Sequence, residues 1–170
     1  GAFTKACQIG PAVAAFRKAI RYSADDGIAK LARDRIAWLE EAALKDSPFA
    51  TLDAYIENEQ LFGLAFENLS KRRCGEAAEL FSRALKQNPN HVQSHGNLAL
   101  CLAGLGRKAE ALASLDRALE LDPTYGPALT NRKAIEAMTE GEPLVPGRIA
   151  ETEYYRERLE AEQGGRRGAT

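Results

Sequence analysis

The sequence of 170 residues has few of the side chains from which disulfide frameworks and metal sites are built. Its three cysteines, Cys7, Cys74 and Cys101, form no Cys-x-x-Cys pair, and it contains only two histidines. Disulfide scaffolds and structural zinc sites need paired or clustered ligands at short spacings. We therefore expect reduced, mostly buried thiols, and we predict neither a bound metal nor a cofactor.

Excess positive charge and long apolar runs are lacking as well. The 23 basic and 24 acidic side chains leave a net charge of −1. Phosphate backbones and anionic membranes attract proteins through clustered basic residues, so we predict no nucleic-acid partner and no membrane partner. No apolar run approaches the ~18 residues of a spanning helix, and the N-terminus lacks the layout of a signal peptide. The sequence predicts a soluble, cytoplasmic protein.

A repeat with a period of 34 residues lies in the middle of the chain. The segment GEAAELFSRALKQNPNH, residues 75–91, is followed 34 residues later by the similar segment AEALASLDRALELDPTY. No insertion or deletion interrupts this register, and a fixed period of this size is typical of stacked helical units. The equivalent positions are Ala77 and Ala111, Phe81 and Leu115, Ala84 and Ala118, and Pro89 and Pro123.

The spacing within each unit predicts a pair of packed helices. Intervals of three and four residues place Ala77, Phe81 and Ala84 on one helix face, where small alanines let a neighbouring helix approach closely. Pro89 and Pro123 mark helix ends, because the residue before a proline is disfavoured in the α region. Short turns before each of these helices require the paired helices to run antiparallel.

These residues resemble the tetratricopeptide repeat family, whose units combine a small residue in the first helix with Ala-x3-Phe-x2-Ala and a closing proline in the second. The resemblance covers residues 58–91 and 92–125. It implies an all-α fold, a right-handed superhelical stack of antiparallel helix pairs. It also implies a concave groove, lined by the first helices, that binds other polypeptides.

The flanks are predicted to complete the stack, because two repeats alone bury little surface. A long helix over 28–44 and a short helix over about 49–57 are expected before the first clear repeat. The sequence therefore predicts degenerate N-terminal helical repeats in 1–57, repeats in 58–91 and 92–125, a capping helix in 126–141, and a linker, a charged helix and a disordered tail in 142–170.

Helical periodicity in the first helices predicts which side chains line the groove. An alternative is that the two phenylalanines pack inside the protein, against upstream helices or the C-terminal segment. The predicted groove residues are Glu59, Phe62, Phe66, Leu69, Gln93, Asn97, Leu100 and Asn131.

The resemblance also bears on which partner the groove accepts. Some members of the family hold the C-terminal carboxylate of chaperone peptides with Lys, Asn and Arg residues spread over three first helices. Asn97 matches the central asparagine of that clamp. The other clamp positions correspond to Phe62, Phe66, Pro127 and Asn131, which lack the required charge. An apolar segment or helix is therefore the favoured occupant.

The two histidines are the only candidates for histidine-dependent chemistry. His91 and His95 are four residues apart, a spacing that can place two imidazoles on one helix face as metal ligands. His91, however, precedes the expected helix start, and neither a third ligand nor a nucleophile motif lies in register. We expect these residues to serve a turn and its packing, and we predict that the chain is not an enzyme.

Three functional hypotheses are consistent with the sequence. The favoured one is a non-catalytic scaffold that binds a peptide, a helix or a partner domain in the groove. The second is a self-assembly module, a homodimer formed through the end units or through the helix that carries Tyr154 and Tyr155. The third is an accessory domain of a larger enzyme. The first residue, Gly1, is not methionine, which suggests a fragment of a longer protein.

Overall fold

The computed structural model describes residues 2–144, with side chains from residue 9 onward. Within this range the chain forms helices and no strand, which confirms the predicted all-α class. None of the described helices is long and apolar enough to cross a membrane. The helices are α1 (Ala2–Tyr22), α2 (Asp26–Leu44), α3 (Leu52–Ser70), α4 (Cys74–Gln87), α5 (Val92–Gly104), α6 (Lys108–Leu121) and α7 (Gly126–Ala137).

The chain divides between Gly63 and Leu64 into two compact units, so that the boundary falls inside α3. In the first unit, α1 packs on α2. Asp25 begins α2, because its carboxylate accepts hydrogen bonds from the backbone N–H groups of Gly27 and Ile28 at 2.7 and 3.2 Å. The small core of this unit contains Val13, Ala43 and Leu52, with Ile9, Ile36, Leu39, Tyr55 and Ile56 packed around them.

In the second unit, successive helices α4, α5, α6 and α7 pack on one another. The alanines of the repeat lie where these helices meet, and the larger side chain of each pattern fills the space between them. Phe81 in α4 and Leu115 in α6 are both fully buried, as the 34-residue register predicts. The main core consists of Ala99, Leu102, Ala103, Ala111, Leu115, Ala118, Tyr125, Ala128, Ile135 and Met138.

One prediction for the N-terminal flank is wrong. The sequence suggested a short helix over about 49–57 followed by a separate first helix of the 58–91 repeat, whereas α3 runs without interruption from Leu52 to Ser70. The residues between the two expected helices, Glu-Asn-Glu-Gln-Leu, contain neither glycine nor proline and are mostly good helix formers. The helix instead begins after Thr51, whose hydroxyl accepts a hydrogen bond from the backbone N–H of Ala54 at 3.2 Å.

The turns between the two helices of each repeat have the same backbone geometry. Arg72 and Gly106, which are 34 residues apart, adopt left-handed φ angles of 59° and 77°. In both turns the next backbone N–H donates to the carbonyl group five residues earlier at 2.9 Å, Arg73 to Asn68 and Arg107 to Leu102. This is the hydrogen-bond pattern of a Schellman motif, which ends a helix with a left-handed residue.

After α7 the chain turns back towards the α5–α6 turn. The backbone N–H of Gly141 donates to the carbonyl of Gly106 at 2.8 Å, and that of Leu144 donates to the carbonyl of Ala103 at 2.9 Å. Leu144 also packs on the main core of the second unit. The charged helix and the tail that were predicted within 142–170 lie almost wholly outside the described residues.

Candidate interaction site

The predicted groove residues lie on the three first helices, α3, α5 and α7. Glu59 and Phe62 belong to the first compact unit, and the other six belong to the second. Three of the eight are partly exposed: Glu59, Phe66 and Gln93. The remaining five are buried, namely Phe62, Leu69, Asn97, Leu100 and Asn131.

The two phenylalanines of α3 differ in burial. Phe62 is buried, which agrees with the alternative in which its ring packs inside the protein, whereas part of Phe66 remains exposed. One helical turn separates these positions, so both rings point to a similar side of α3. Phe66 is therefore the aromatic ring of this pair that a partner can contact without rearrangement of α3.

Asn97 in α5 has the most unusual environment among the predicted residues. Its side chain is 0% exposed, and neither the amide nitrogen nor the carbonyl oxygen of the carboxamide has a hydrogen-bond partner within the described part of the chain. Leaving a buried polar group without a partner costs about 1–3 kcal/mol. Because a leucine at this position would avoid that cost, the carboxamide calls for a functional explanation.

Asn97 follows a glycine that packs closely against Tyr125, the residue that precedes α7. The preceding residue, Gly96, has no side chain, and a Cβ atom at that position would lie 2.8 Å from Cε1 of Tyr125. Asn131 on α7 is equivalent to Asn97 in the 34-residue register and is also buried. The second unit therefore carries two asparagines at the same position of successive first helices.

In the first unit, Glu59 and Tyr55 lie one turn apart on α3. Burial raises the pKa of the Glu59 carboxyl group above its ordinary value. Burial also raises the pKa of the Tyr55 hydroxyl, and the neighbouring Glu59 charge adds to this effect. The surroundings of Glu59 thus disfavour its charged form, and a positively charged partner group would restore it.

The two histidines serve the start of α5. Nδ1 of His91 lies 2.7 Å from the hydroxyl oxygen of Ser94, and Nε2 of His95 lies 2.9 Å from the carbonyl oxygen of Pro89. Both rings therefore make hydrogen bonds to residues at or just before the start of α5. Among the described residues, no group of three or more His, Cys, Asp and Glu side chains is arranged to hold a metal ion.

A cleft of about 720 Å³, which the sequence reasoning missed, lies among α4, α5 and α6. Leu98 and Leu102 of α5 contribute apolar side chains, while Arg83 and Lys86 of α4 contribute charge. The signal in the sequence is weak, because Arg83 and Lys86 resemble ordinary surface residues of a second helix. Arg107 at its edge is already held by Glu110, with nitrogen–oxygen distances of 2.7 and 2.6 Å.

Comparison with known protein families matches residues 64–126 to the tetratricopeptide repeat. The chain is 28% identical over 126 residues to Hsp70-Hsp90 organizing protein 3 of Arabidopsis thaliana, an alignment that covers 74% of this chain and 22% of that protein. It is 29% identical over 70 residues to Hsp70-Hsp90 organizing protein of Triticum aestivum, which covers 41% of this chain and 12% of that protein. The chain spans less than a quarter of these relatives.

Among solved structures, the chain aligns with a mutant of Thermobaculum terrenum O-GlcNAc transferase. The alignment has a TM-score of 0.47 and 25% sequence identity. It covers 75% of this chain and 22% of the transferase chain.

Proposed function

We propose that this chain, whose residues 64–126 match the tetratricopeptide repeat, is a non-catalytic module that binds a segment of another protein in the cytoplasm. The names of its relatives describe the organisation of two other proteins rather than a reaction, which supports an interaction role. The observation that carries the proposal is the unpaired carboxamide of Asn97, because it provides a reason for a stretch of partner backbone to bind beside α5.

A carboxamide offers one donor and one acceptor group in the same plane, as a peptide bond does. A bound segment can therefore satisfy both polar atoms of Asn97 at once and recover the free energy lost by their burial. Gln93, one turn earlier on α5 and partly exposed, carries the same pair of groups. Together they form a short polar row along the first helix of the second repeat.

Binding requires that side chains covering Asn97 move aside, because the residue is 0% exposed in the free protein. Such side-chain rearrangements are common when interfaces form, whereas the backbone usually changes little. Phe66 and Gln93 are partly exposed and can therefore be reached by a partner before the side chains over Asn97 move. We therefore expect an affinity that is reduced by the opening step.

The partner that fits best is apolar rather than acidic. Phe66 provides partly exposed apolar surface, and among the positions of the carboxylate clamp only Asn97 matches. A segment that ends in a free carboxylate would find no charged partner at Asn131 or Pro127. The relatives are named for Hsp70 and Hsp90, and an acidic C-terminal peptide is accordingly the competing ligand in the test.

The test uses an array of 15-residue peptides in two sets, one amphipathic and uncharged at its end, the other acidic with a free C-terminal carboxylate. Affinities of the best binder are then measured by fluorescence anisotropy. We expect binding from the first set. Replacing Asn97 by leucine should raise the free energy of unfolding by about 1–2 kcal/mol and weaken binding about tenfold or more, because the carboxamide serves the partner rather than the fold.

Asn68→Leu is the matched control, since its carboxamide already donates to the carbonyl oxygen of Leu64 at 2.8 Å. This variant should neither stabilise the protein nor change the affinity. Unchanged binding by Asn97→Leu, or the absence of any binder in both sets, would contradict the proposal. Binding confined to the acidic set would favour the chaperone-tail alternative.

A further inference from the structure

The outer surface of α2 carries large apolar side chains that nothing in the described chain covers. Ile28, Leu31 and Trp38 are 51%, 57% and 61% exposed. Spacings of three and seven residues place them on one face of the helix, which we call the α2 apolar face. Single exposed apolar residues are ordinary, but three in a row that include the only tryptophan of the chain mark an interaction surface.

The α2 apolar face differs from the face that packs inside the first unit. Ala29, Ala32 and Ala43 are the buried residues of α2, and α1 packs on this helix. At 100° per residue the exposed row lies beside these alanines rather than opposite them. The apolar surface of α2 is thus about twice as wide as the part that is covered within the unit.

Charged side chains at the centre of the face indicate which partner fits it. Asp34 and Arg35 are exposed and lie between Leu31 and Trp38. Neither of them forms a salt bridge with another described residue. A partner helix that covers this face must therefore offer one basic and one acidic group beside two apolar ones, and α2 itself offers that combination.

We propose that two copies of this chain associate through the α2 apolar face, with their α2 helices antiparallel about a two-fold axis. An axis that crosses α2 between Asp34 and Arg35 places Asp34 of each copy opposite Arg35 of the other. The same axis places Leu31 opposite Trp38 of the second copy. The contact is self-complementary, as a closed two-fold interface requires.

The antiparallel arrangement follows from the charges. In a parallel pair, Arg35 would lie beside Arg35 of the second copy and Asp34 beside Asp34, and like charges at an interface are unfavourable. Antiparallel helices also align their dipoles favourably. Because each copy contributes only three large apolar side chains, the interface is small and the dimer should form only at high protein concentration. Trp38 is its largest apolar side chain.

The first experiment uses the fluorescence of Trp38 on the full chain. In the monomer the indole is mostly exposed, so its emission lies at long wavelength, and association should shift it to shorter wavelength. We expect this shift to occur over the same concentration range in which sedimentation velocity detects a dimer. A monomer with unshifted emission up to about 1 mM would overturn the proposal, as would emission already shifted in the dilute monomer.

Charge exchange provides the second experiment and does not depend on the wild-type affinity alone. Asp34→Arg and Arg35→Glu should each be monomeric, because like charges then face each other twice in the homodimer. An equimolar mixture should form a heterodimer, in which both oppositely charged pairs are restored. Arg33→Glu, an exposed charge reversal on the other side of α2, is the control and should dimerise like the wild type.

Circular dichroism establishes that each charge variant remains helical. A mixture that stays monomeric under conditions where the wild type dimerises would assign the dimer to another surface and overturn the proposal. Because the peptide-binding variants lie in the second unit, a failure of one proposal leaves the other unaffected.

Discussion

His91 is held in its neutral form by its surroundings at the start of α5. Burial and, to a smaller extent, the neighbouring His95 charge together lower the pKa of its imidazole from 6.5 to about 4. Nδ1 of the ring is hydrogen-bonded to the hydroxyl group of Ser94, whose side chain is itself fully buried. A second proton on this ring would place a positive charge beside the positive end of the α5 dipole.

We predict that His91 makes the stability of the protein sensitive to mild acid. In the unfolded chain the imidazole is protonated below about pH 6.5, whereas in the folded protein it becomes protonated only below about pH 4. The unfolded state therefore binds the additional proton in this interval, so the free energy of unfolding falls as the pH is lowered from 6.5 to 4, by up to about 3 kcal/mol.

Chemical denaturation of the wild type and of His91→Gln at several pH values measures this effect. Glutamine retains a polar group near Ser94 and has no titrating proton. The difference in the free energy of unfolding between the two proteins should change between pH 6.5 and 4 and remain constant above pH 7.5. Parallel curves over the whole range would show that His91 is not responsible.

For single residues, the sequence predicts the local role of a side chain better than its burial and its contacts. The turn and packing role of His91 followed from its position before a helix. The burial of Asn97 without a partner did not, because it depends on how α5 packs against its neighbours. The same limit applies to Phe62, for which the periodicity left both the groove and the interior open.

Among the helices, α4 to α7 lie where the 34-residue register predicts them. Each boundary there has a local signal, a proline after Asn88 and after Asp122 and a short turn before each second helix. The N-terminal flank has weaker signals, and α3 shows why the predicted break near residue 57 is absent. A run of good helix-forming residues continues α3 across the repeat boundary, because the local sequence contains no helix-terminating residue.

The contact between α5 and Tyr125, the residue that precedes α7, depends on the absence of a side chain at Gly96. We predict that Gly96→Ala lowers the free energy of unfolding by about 1–3 kcal/mol, because the new Cβ would lie 2.8 Å from the ring of Tyr125, which is itself buried. Thermal or chemical denaturation followed by circular dichroism measures the change.

Gly75→Ala is the matched substitution in α4, where a Cβ atom would meet nothing within 4 Å. There the higher helix propensity of alanine should raise the free energy of unfolding by up to about 1 kcal/mol. Equal effects of the two substitutions would indicate that the Tyr125 ring moves aside easily and that its contact with α5 is not tight.

For the molecule as a whole, protection is expected to be greatest in α5. Eight of its 13 residues are buried, and α4, α6 and α7 all pack on it, whereas α2 has three buried residues among 19. Regions with dense packing open least often in the native state. We therefore expect the first unit to open locally more often than the second.

We predict that native-state hydrogen exchange is slowest for the amides of α5 and at least tenfold faster for those of α2, a difference of about 1.4 kcal/mol in opening free energy. Mass spectrometry of peptic fragments measures both helices in one sample, at a concentration where the chain is monomeric. Equal protection of α2 and α5 would contradict the prediction and indicate that the first unit is as cooperative as the second.

The shared geometry of the Arg72 and Gly106 turns has a practical consequence for protein engineering. An arginine in the left-handed region costs about 1–2 kcal/mol, more than the roughly 0.5–1 kcal/mol of chain entropy that a glycine loses on folding. Designers who wish to build long synthetic arrays from this chain should therefore copy residues 92–125 rather than 58–91. Every additional copy of the second template would avoid the arginine penalty, and the saving would accumulate with the length of the array.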